Sequence, residues 1–293
     1  MTESAINNVP DTAFMAAAYR AAESRRPNAL FHDPYADKLA GQRGREIIER
    51  LPSQAMMGGW SVIIRTRIID EFIQQAIAEG VDTILNLGAG LDARPYRMAL
   101  PENLRWIEAD FPQLIEWKRG LLTDEQPSCQ LERVTVDLAD AQARQKLLDD
   151  VAGSAKKVLV LTEAVTPYLP EEAVAALGNE LRPRPSIRYW LVDYFSPASY
   201  EYRRRSGMSQ SMQHAPFLFE PADYFGFFAA CGWQPKETRY FAEEGARLRR
   251  SPPFPWHIRL ITSVLGILMP PEKRKAMRRY AGFVLFEPSA SND

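Results

Sequence analysis

The run Val81-Asp82-Thr83-Ile84-Leu85-Asn86-Leu87-Gly88-Ala89-Gly90-Leu91-Asp92 constrains this chain more than any other stretch. A short apolar strand ends in Gly-x-Gly, where the backbone can turn sharply with no Cβ in the way. The next apolar run, residues 104–109, closes beside two carboxylates, Glu108 and Asp110. A parallel α/β sheet builds a nucleoside pocket in this way. The ligand lies against bare backbone at the carboxyl edge, and an acid on the neighbouring strand takes the ribose hydroxyls. NAD and S-adenosylmethionine (SAM) both meet that description, and the motif by itself does not choose between them.

Further apolar runs follow at 131–136, 158–161 and 187–192, separated by helical stretches. They predict the buried strands of a parallel sheet joined by right-handed crossovers. Residues 11–80 read mainly as helices. The clearest covers 62–73, where apolar positions recur at helical spacing, and Gly80 follows as a stop signal. The period is lost over 194–219, where a lid over the sheet edge would be inserted. A helix over 221–230, a strand near 236–241, a basic proline-punctuated segment over 246–279 and a terminal strand at 280–286 complete the pattern. Five parallel strands with a closing pair suit a seven-stranded sheet better than a six-stranded dinucleotide sheet.

The chain has 293 residues, 46% hydrophobic and 25% charged, as expected of a soluble enzyme, and is long enough for one large α/β domain with a cap or for two small domains. A formal net charge of −1 gives no field to attract nucleic acid or anionic lipid. The first residues are polar and do not resemble a signal peptide. The longest apolar run near the end, 260–269, is too short to span a bilayer. Two cysteines, Cys129 and Cys231, form neither a disulfide framework nor a metal spacing. These features lead to the expectation of a cytoplasmic protein with no membrane, nucleic-acid or metal partner. A homodimer stays open.

Several segments in order resemble the leucine carboxyl methyltransferase family, in particular its bacterial branch of polyketide-type O-methyltransferases. They are Asp33-Pro34-Tyr35-Ala36, Arg65-Thr66-Arg67-Ile68-Ile69-Asp70, Asn86 through Arg97, Glu108-Ala109-Asp110-Phe111-Pro112 with Lys118, Asp137-Leu138, and Thr162-Glu163-Ala164-Val165-Thr166-Pro167-Tyr168-Leu169-Pro170. The resemblance implies a seven-stranded, mostly parallel, Rossmann-like class I methyltransferase sheet. It also implies a helical N-terminal cap over 1–80 and a SAM-binding domain over 81–293, with lid insertions at about 194–219 and 242–279. The family more often has Gly or Cys where this chain has Ala164, and a larger apolar residue where it has Pro167.

The same resemblance assigns roles. Gly88 and Gly90 form the cofactor turn, and Arg65 grips the methionine carboxylate, with Arg67 a near rival. Asp110 takes the ribose, although the generic pattern also allows Glu108. Asp137 and Leu138 meet the adenine. Glu163 receives the ammonium group of SAM, unless it belongs to a structural ion pair. Tyr168 lies near the methyl-transfer point, as a pocket wall or a hydrogen-bonding group. Independently of the resemblance, the aromatic cluster beside Arg203-Arg204-Arg205 in the lid makes Tyr194, Tyr200 and Arg203 candidate acceptor contacts, against the plain reading of those arginines as a solvated basic face. His214 is the one histidine worth testing as a base.

The expected reaction is methyl transfer to a carboxylate or acidic hydroxyl of a small molecule. A carboxylate is ionised at neutral pH and needs no base, which suits a chain with three histidines. An NAD(P)-dependent oxidoreductase and a catalytically silent SAM-binding protein are the competing readings.

Overall fold

The computed structural model describes residues 6, 8–51, 56–205, 214–253 and 269–290. Three helices come first: α1 (Val9–Ser24), α2 (Ala36–Arg50) and α3 (Met56–Ala78). Asn8 caps α1 by accepting from the Asp11 N–H at 2.9 Å. The sheet follows as β1 (Thr83–Leu87), β2 (Arg105–Asp110), β3 (Gln130–Thr135), β4 (Val158–Thr162), β5 (Ile187–Phe195), β6 (Trp233–Tyr240) and β7 (Ala281–Pro288). Between and beyond the strands lie α4 (Arg94–Arg97), α5 (Pro112–Leu121), α6 (Ala141–Ser154), α7 (Glu171–Leu181), α8 (Pro197–Arg205), α9 (Tyr224–Ala230), α10 (Phe241–Arg247) and α11 (Pro271–Arg278).

The strand order is β3-β2-β1-β4-β5-β7-β6. The first five are parallel, and β7 runs antiparallel to β5 and β6. Every residue of β1 and β4 is buried, because helices cover both faces, and this explains their unbroken apolar sequence. Leu85, Leu87, Ile107, Ala109, Val158 and Val160 meet α6, α7 and α9 on one face. Ile84, Trp106, Leu159, Leu161 and Leu191 meet Ile64, Ile68, Phe72 and Ile73 of α3 on the other. The expected break at residue 80 is therefore a break in sequence but not in packing, since α3 belongs to the sheet's core. The helices standing outside that core are α1 and α2, which join Leu91, Ala93 and Leu114 in a smaller cluster.

Strand β1 lies between β2 and β4, with connections leaving in opposite directions. This is the topological switch point, where an open α/β sheet leaves a crevice beyond its carboxyl ends. No described helix is long and apolar enough to cross a membrane. The proposed lids at 194–219 and 242–279 contain α8, α10 and α11, and residues 206–213 and 254–268 of them lie outside the described residues.

One polar group is sunk in the sheet. Glu108 has no exposed surface and accepts from Lys118 Nζ of α5 at 2.7 Å and from Arg133 Nε of β3 at 2.9 Å. Lys118 is equally buried. Removing one partner of such a pair strands a charge at a cost of roughly 3–5 kcal/mol. Glu108→Ala is thus expected to lower the unfolding free energy by about that amount, read by urea denaturation. A midpoint close to wild type would mean that Lys118 finds water instead.

Candidate cofactor and active site

The carboxyl ends of β1, β2 and β4 open into one cavity of about 310 Å³, covered from the far side by α1. Its floor is the glycine turn. Gly88 and Gly90 have φ of +67° and +48°, which glycine adopts without strain. A Cβ on Gly88 would collide with Val165, and one on Gly90 would come within 3.2 Å of Ala13 of α1. The backbone is bare here because the chain approaches it from two sides and leaves a cradle against the cavity.

Asp110 stands at the rim of β2. One carboxylate oxygen accepts from Gly90 N at 2.5 Å and the other from Phe111 N at 2.7 Å. Burial raises its pKa, against the pull of those two N–H groups. Each oxygen keeps a second lone pair for a diol. Two residues apart on a strand, Glu108 and Asp110 share a face, so depth along the strand separates them. Asp110 reaches the cavity, and Glu108 is taken up by Lys118 and Arg133. Beyond Asp110 the walls are Phe111, Leu114, Val136 and Leu138, with Asp137 exposed at the edge and accepting from Ala139 N at 2.9 Å. An apolar slot with polar groups at its mouth suits a purine.

The opposite end is ionic. Arg94, 2% exposed, binds Asp70 Oδ1 at 2.7 Å, Asp92 Oδ2 at 2.8 Å and Glu163 Oε2 at 2.8 Å. Arg65 Nε lies 2.8 Å from Glu163 Oε1, but its N–H is not directed at that oxygen. Burial alone would raise the pKa of Glu163, yet Arg94 and Arg65 outweigh it and hold the carboxylate ionised. Glu163 thus lines the cavity as part of an ion-pair network. Asn86, 1% exposed, donates from Nδ2 to Asp92 at 3.0 Å, which fixes the amide orientation. Its Oδ1 is buried with no hydrogen-bond partner and lines the same cavity. An orphan acceptor of this kind costs free energy unless a donor arrives.

Arg65, Gly88, Gly90, Asp110, Asp137, Leu138, Glu163 and Tyr168 all line this cavity. The lid candidates do not. Tyr194 sits in the core with its ring edge against Tyr224 and Tyr240. Tyr200 is buried against Phe195. Arg203 lies 3.6 Å over the Phe217 ring, which meets Tyr168 edge to face at 5.4 Å. His214 is exposed and outside the cavity. Sequence reasoning missed Asn86, Phe217 and the α1 residues Val9, Pro10, Thr12, Ala13, Ala16 and Arg20. Arg20 had a signal in hindsight: it is a basic residue within an alanine-rich helix, and here it binds Asp33 and the Leu91 carbonyl.

Comparison with known proteins agrees with this geometry. Residues 13–181 match the family model described as leucine carboxyl methyltransferase. The chain belongs to that family. A provisionally named SAM-dependent methyltransferase of Streptomyces coelicolor is 33% identical over 177 residues, 57% of this chain and 62% of the relative. The chain therefore matches less than two thirds of that protein's length. One of Mycolicibacterium smegmatis is 30% identical over 250 residues, 78% of this chain and 84% of the relative. Among solved structures, a provisionally named methyltransferase from Thermobifida fusca superposes with a TM-score of 0.57 at 12% identity, covering 98% of this chain and 96% of that one. A DUF574 family protein from Streptomyces avermitilis gives 0.53 at 15% identity, covering 93% and 96%. The fold is the class I methyltransferase sheet. SAM is the cofactor that goes with the family relatives, and the bare glycine cradle and orphan Asn86 oxygen fit it.

One further acid stands beside the site. Asp193, near the end of β5, is 4% exposed, and burial pushes its pKa up to about 7, against the pull of Arg65 and the Ala164 N–H. A carboxyl whose folded pKa exceeds its unfolded value costs nothing at low pH. It becomes destabilising as pH rises through the unfolded and then the folded pKa. Over about three pKa units the cost grows to roughly 4 kcal/mol. The stability difference between Asp193→Asn and wild type should therefore move in favour of the variant between acid and mildly alkaline pH. Thermal melts of both proteins from pH 4 to pH 8 check it, and a pH-independent difference would contradict it.

Proposed function

We propose that this chain is a SAM-dependent O-methyltransferase that methylates the carboxylate of a small, partly apolar or aromatic acceptor of polyketide type. One observation carries the choice of oxygen. Among the described residues lining the cavity there is no histidine, lysine or cysteine. The carboxylates there are engaged: Asp92 and Glu163 by arginines, Asp110 and Asp137 by backbone N–H groups. Burial raises the pKa of Tyr168, so it stays a neutral phenol at neutral pH. An acceptor that arrives already ionised needs no base, and a carboxylate does so.

In this reading the glycine turn and Asp110 hold the ribose, and Asp137 with the Leu138 backbone meets the adenine. Arg65 faces the methionine carboxylate. Asn86 Oδ1 and Glu163 accept from the ammonium group. Bound SAM supplies a methyl group on a sulfonium, an electrophile strong enough to react without a metal. The chain's own work is to align the acceptor oxygen and exclude water. Tyr168 borders the transfer point. The column Tyr168–Phe217–Arg203 gives the acceptor an aromatic wall with a cation at its far end. In this reading Phe217 takes the role expected of Tyr194, while Tyr200 buttresses Phe195 behind it.

Asp110→Ala should weaken SAM binding by roughly 1.5–3 kcal/mol, the worth of a charge-assisted hydrogen bond. It should cost less in folding, because burial already penalises this charge in the ligand-free protein. Calorimetry with SAM reads the first quantity and urea denaturation the second. Unchanged affinity would remove Asp110 from the ribose role.

The product should release methanol under mild alkali, because esters hydrolyse and aryl ethers do not. The rate should stay nearly flat across neutral pH, and His214→Ala should retain activity. A base-stable product together with an inactive His214→Ala variant would point to a hydroxyl acceptor with His214 as base. Failure of SAM or S-adenosylhomocysteine to raise the melting temperature, with NAD doing so, would return the oxidoreductase reading.

A further inference from the structure

Ala164 has φ of +54°, in the left-handed region that alanine enters only under constraint. It lies between Glu163, bound to Arg65 and Arg94, and Val165, packed against Gly88. All three residues line the cavity. The strained residue therefore sets where the ionic end of the pocket meets the glycine cradle. Its N–H donates to Asp193 Oδ2 at 2.7 Å. Asp193 does not itself line the cavity, and its own carbonyl accepts from the Tyr224 hydroxyl at 2.7 Å, which ties the strand end to α9.

We propose that Asp193 is a positioning residue for the cofactor site: its carboxylate oxygen holds the Ala164 N–H and thereby locks the left-handed turn that places Glu163 and Val165. An acid at this point has no ion-pair partner within salt-bridge distance among the described residues, although Arg65, Glu163, Tyr168 and Tyr200 are its charged or titratable neighbours. Burial drives its pKa to about 7, so it carries only part of a negative charge at neutral pH. Among the described residues, the hydrogen bond its carboxylate takes from another residue is the one from the Ala164 N–H. Acceptance from an N–H needs an oxygen lone pair but not a full charge. Asparagine can supply that lone pair, and leucine cannot.

This inference rests on SAM occupying the cavity, and the wild-type protein tests that separately. Calorimetric SAM binding is measured for wild type, Asp193→Asn, Asp193→Leu and Asp193→Leu combined with Ala164→Gly. Hydrogen exchange at the 163–165 amides is followed without SAM. Asp193→Leu should weaken SAM binding by about tenfold or more, the scale of losing a held backbone strain. Ala164→Gly in that background should recover a large part, because glycine enters the left-handed region freely. Asp193→Asn should keep SAM affinity within a few-fold of wild type. Exchange at the Ala164 amide should rise in Asp193→Leu and stay slow in Asp193→Asn.

Two results would overturn the assignment: a folded Asp193→Asn that loses SAM, or an Asp193→Leu loss that Ala164→Gly leaves untouched. If Asp193→Leu does not fold, the Asp193→Asn affinity and exchange decide alone. If wild type itself binds no SAM, the cofactor reading fails while the exchange data still show whether Asp193 holds the turn.

Discussion

The site depends on one guanidinium. Arg94 reaches Asp70 on α3, Asp92 in the glycine turn and Glu163 after β4, and so ties three separate parts of the chain to one point. It is planar, permanently charged and able to donate in several fixed directions, which lysine cannot imitate. Burying it would be costly alone, but it is matched by carboxylates on every side. The two turns that form the cavity therefore keep a fixed separation. Arg97 extends the same logic, pairing with Asp70 at 2.6 Å and lying 3.8 Å from Asp33. Arg20 then joins Asp33 to α1. Cap, sheet and cavity are connected by alternating charges, while apolar packing sets only their approximate layers.

This division explains what was legible beforehand. Strands buried on both faces write themselves as apolar runs, so β1 appears over residues 83–87 as expected and β2 and β4 within a residue or so, whereas β3, expected as a buried strand, is an edge strand whose residues are exposed or half-buried. Strand β6 begins earlier than expected, at Trp233, because its edge position leaves polar residues such as Gln234 and Lys236 facing water. The Gly-x-Gly turn and Asp110 were readable because a bare backbone and an acid at the neighbouring strand tip form a local pattern. The ion-pair partners were not. Arg94, Asp70 and Glu163 lie far apart in sequence, and nothing local says which acid an arginine will meet. The aromatic cluster around Tyr194 misled for a related reason. Aromatic residues serve a core and a pocket equally well, and only packing shows that Tyr194 belongs to the core while Phe217 stands beside Tyr168.

Expectation placed a helical cap over 1–80 as well as lid insertions after β5, but named no cap residue of α1 at the site, and α1 lines the cavity. Its sequence, Ala16-Ala17-Ala18, carries little periodic signal, and the reason is steric. Ala13 of the same helix sits within 3.2 Å of where a Gly90 Cβ would be. Close approach of helix to turn requires small residues on both sides, and small residues do not advertise a binding face. The segment 217–219 does cross the 166–168 turn, with Leu218 N donating to the Pro167 carbonyl at 2.8 Å. In the proposed reading, cofactor and acceptor are thus covered by different parts of the chain.

Charge balance ties the cofactor to this arrangement. SAM carries a sulfonium and an ammonium against one carboxylate, so it enters with a net positive charge. A cavity walled by Arg20, Arg65 and Arg94 would repel it if those charges stood alone. They do not: Asp33 answers Arg20, Glu163 answers Arg65, and Asp70, Asp92 and Glu163 surround Arg94. Asp110 and Asp137 meet backbone N–H groups instead of a guanidinium, and in the proposed reading Asp110 takes the ribose. The unpartnered oxygen of Asn86 offers a neutral acceptor at the opposite end. Among the described residues lining the cavity, the three arginines each stand beside at least one acid of the chain, so a negatively charged dinucleotide would meet them already partly neutralised. The ion-pair network therefore shapes the cavity and also screens it, so that a cation can be held beside arginines.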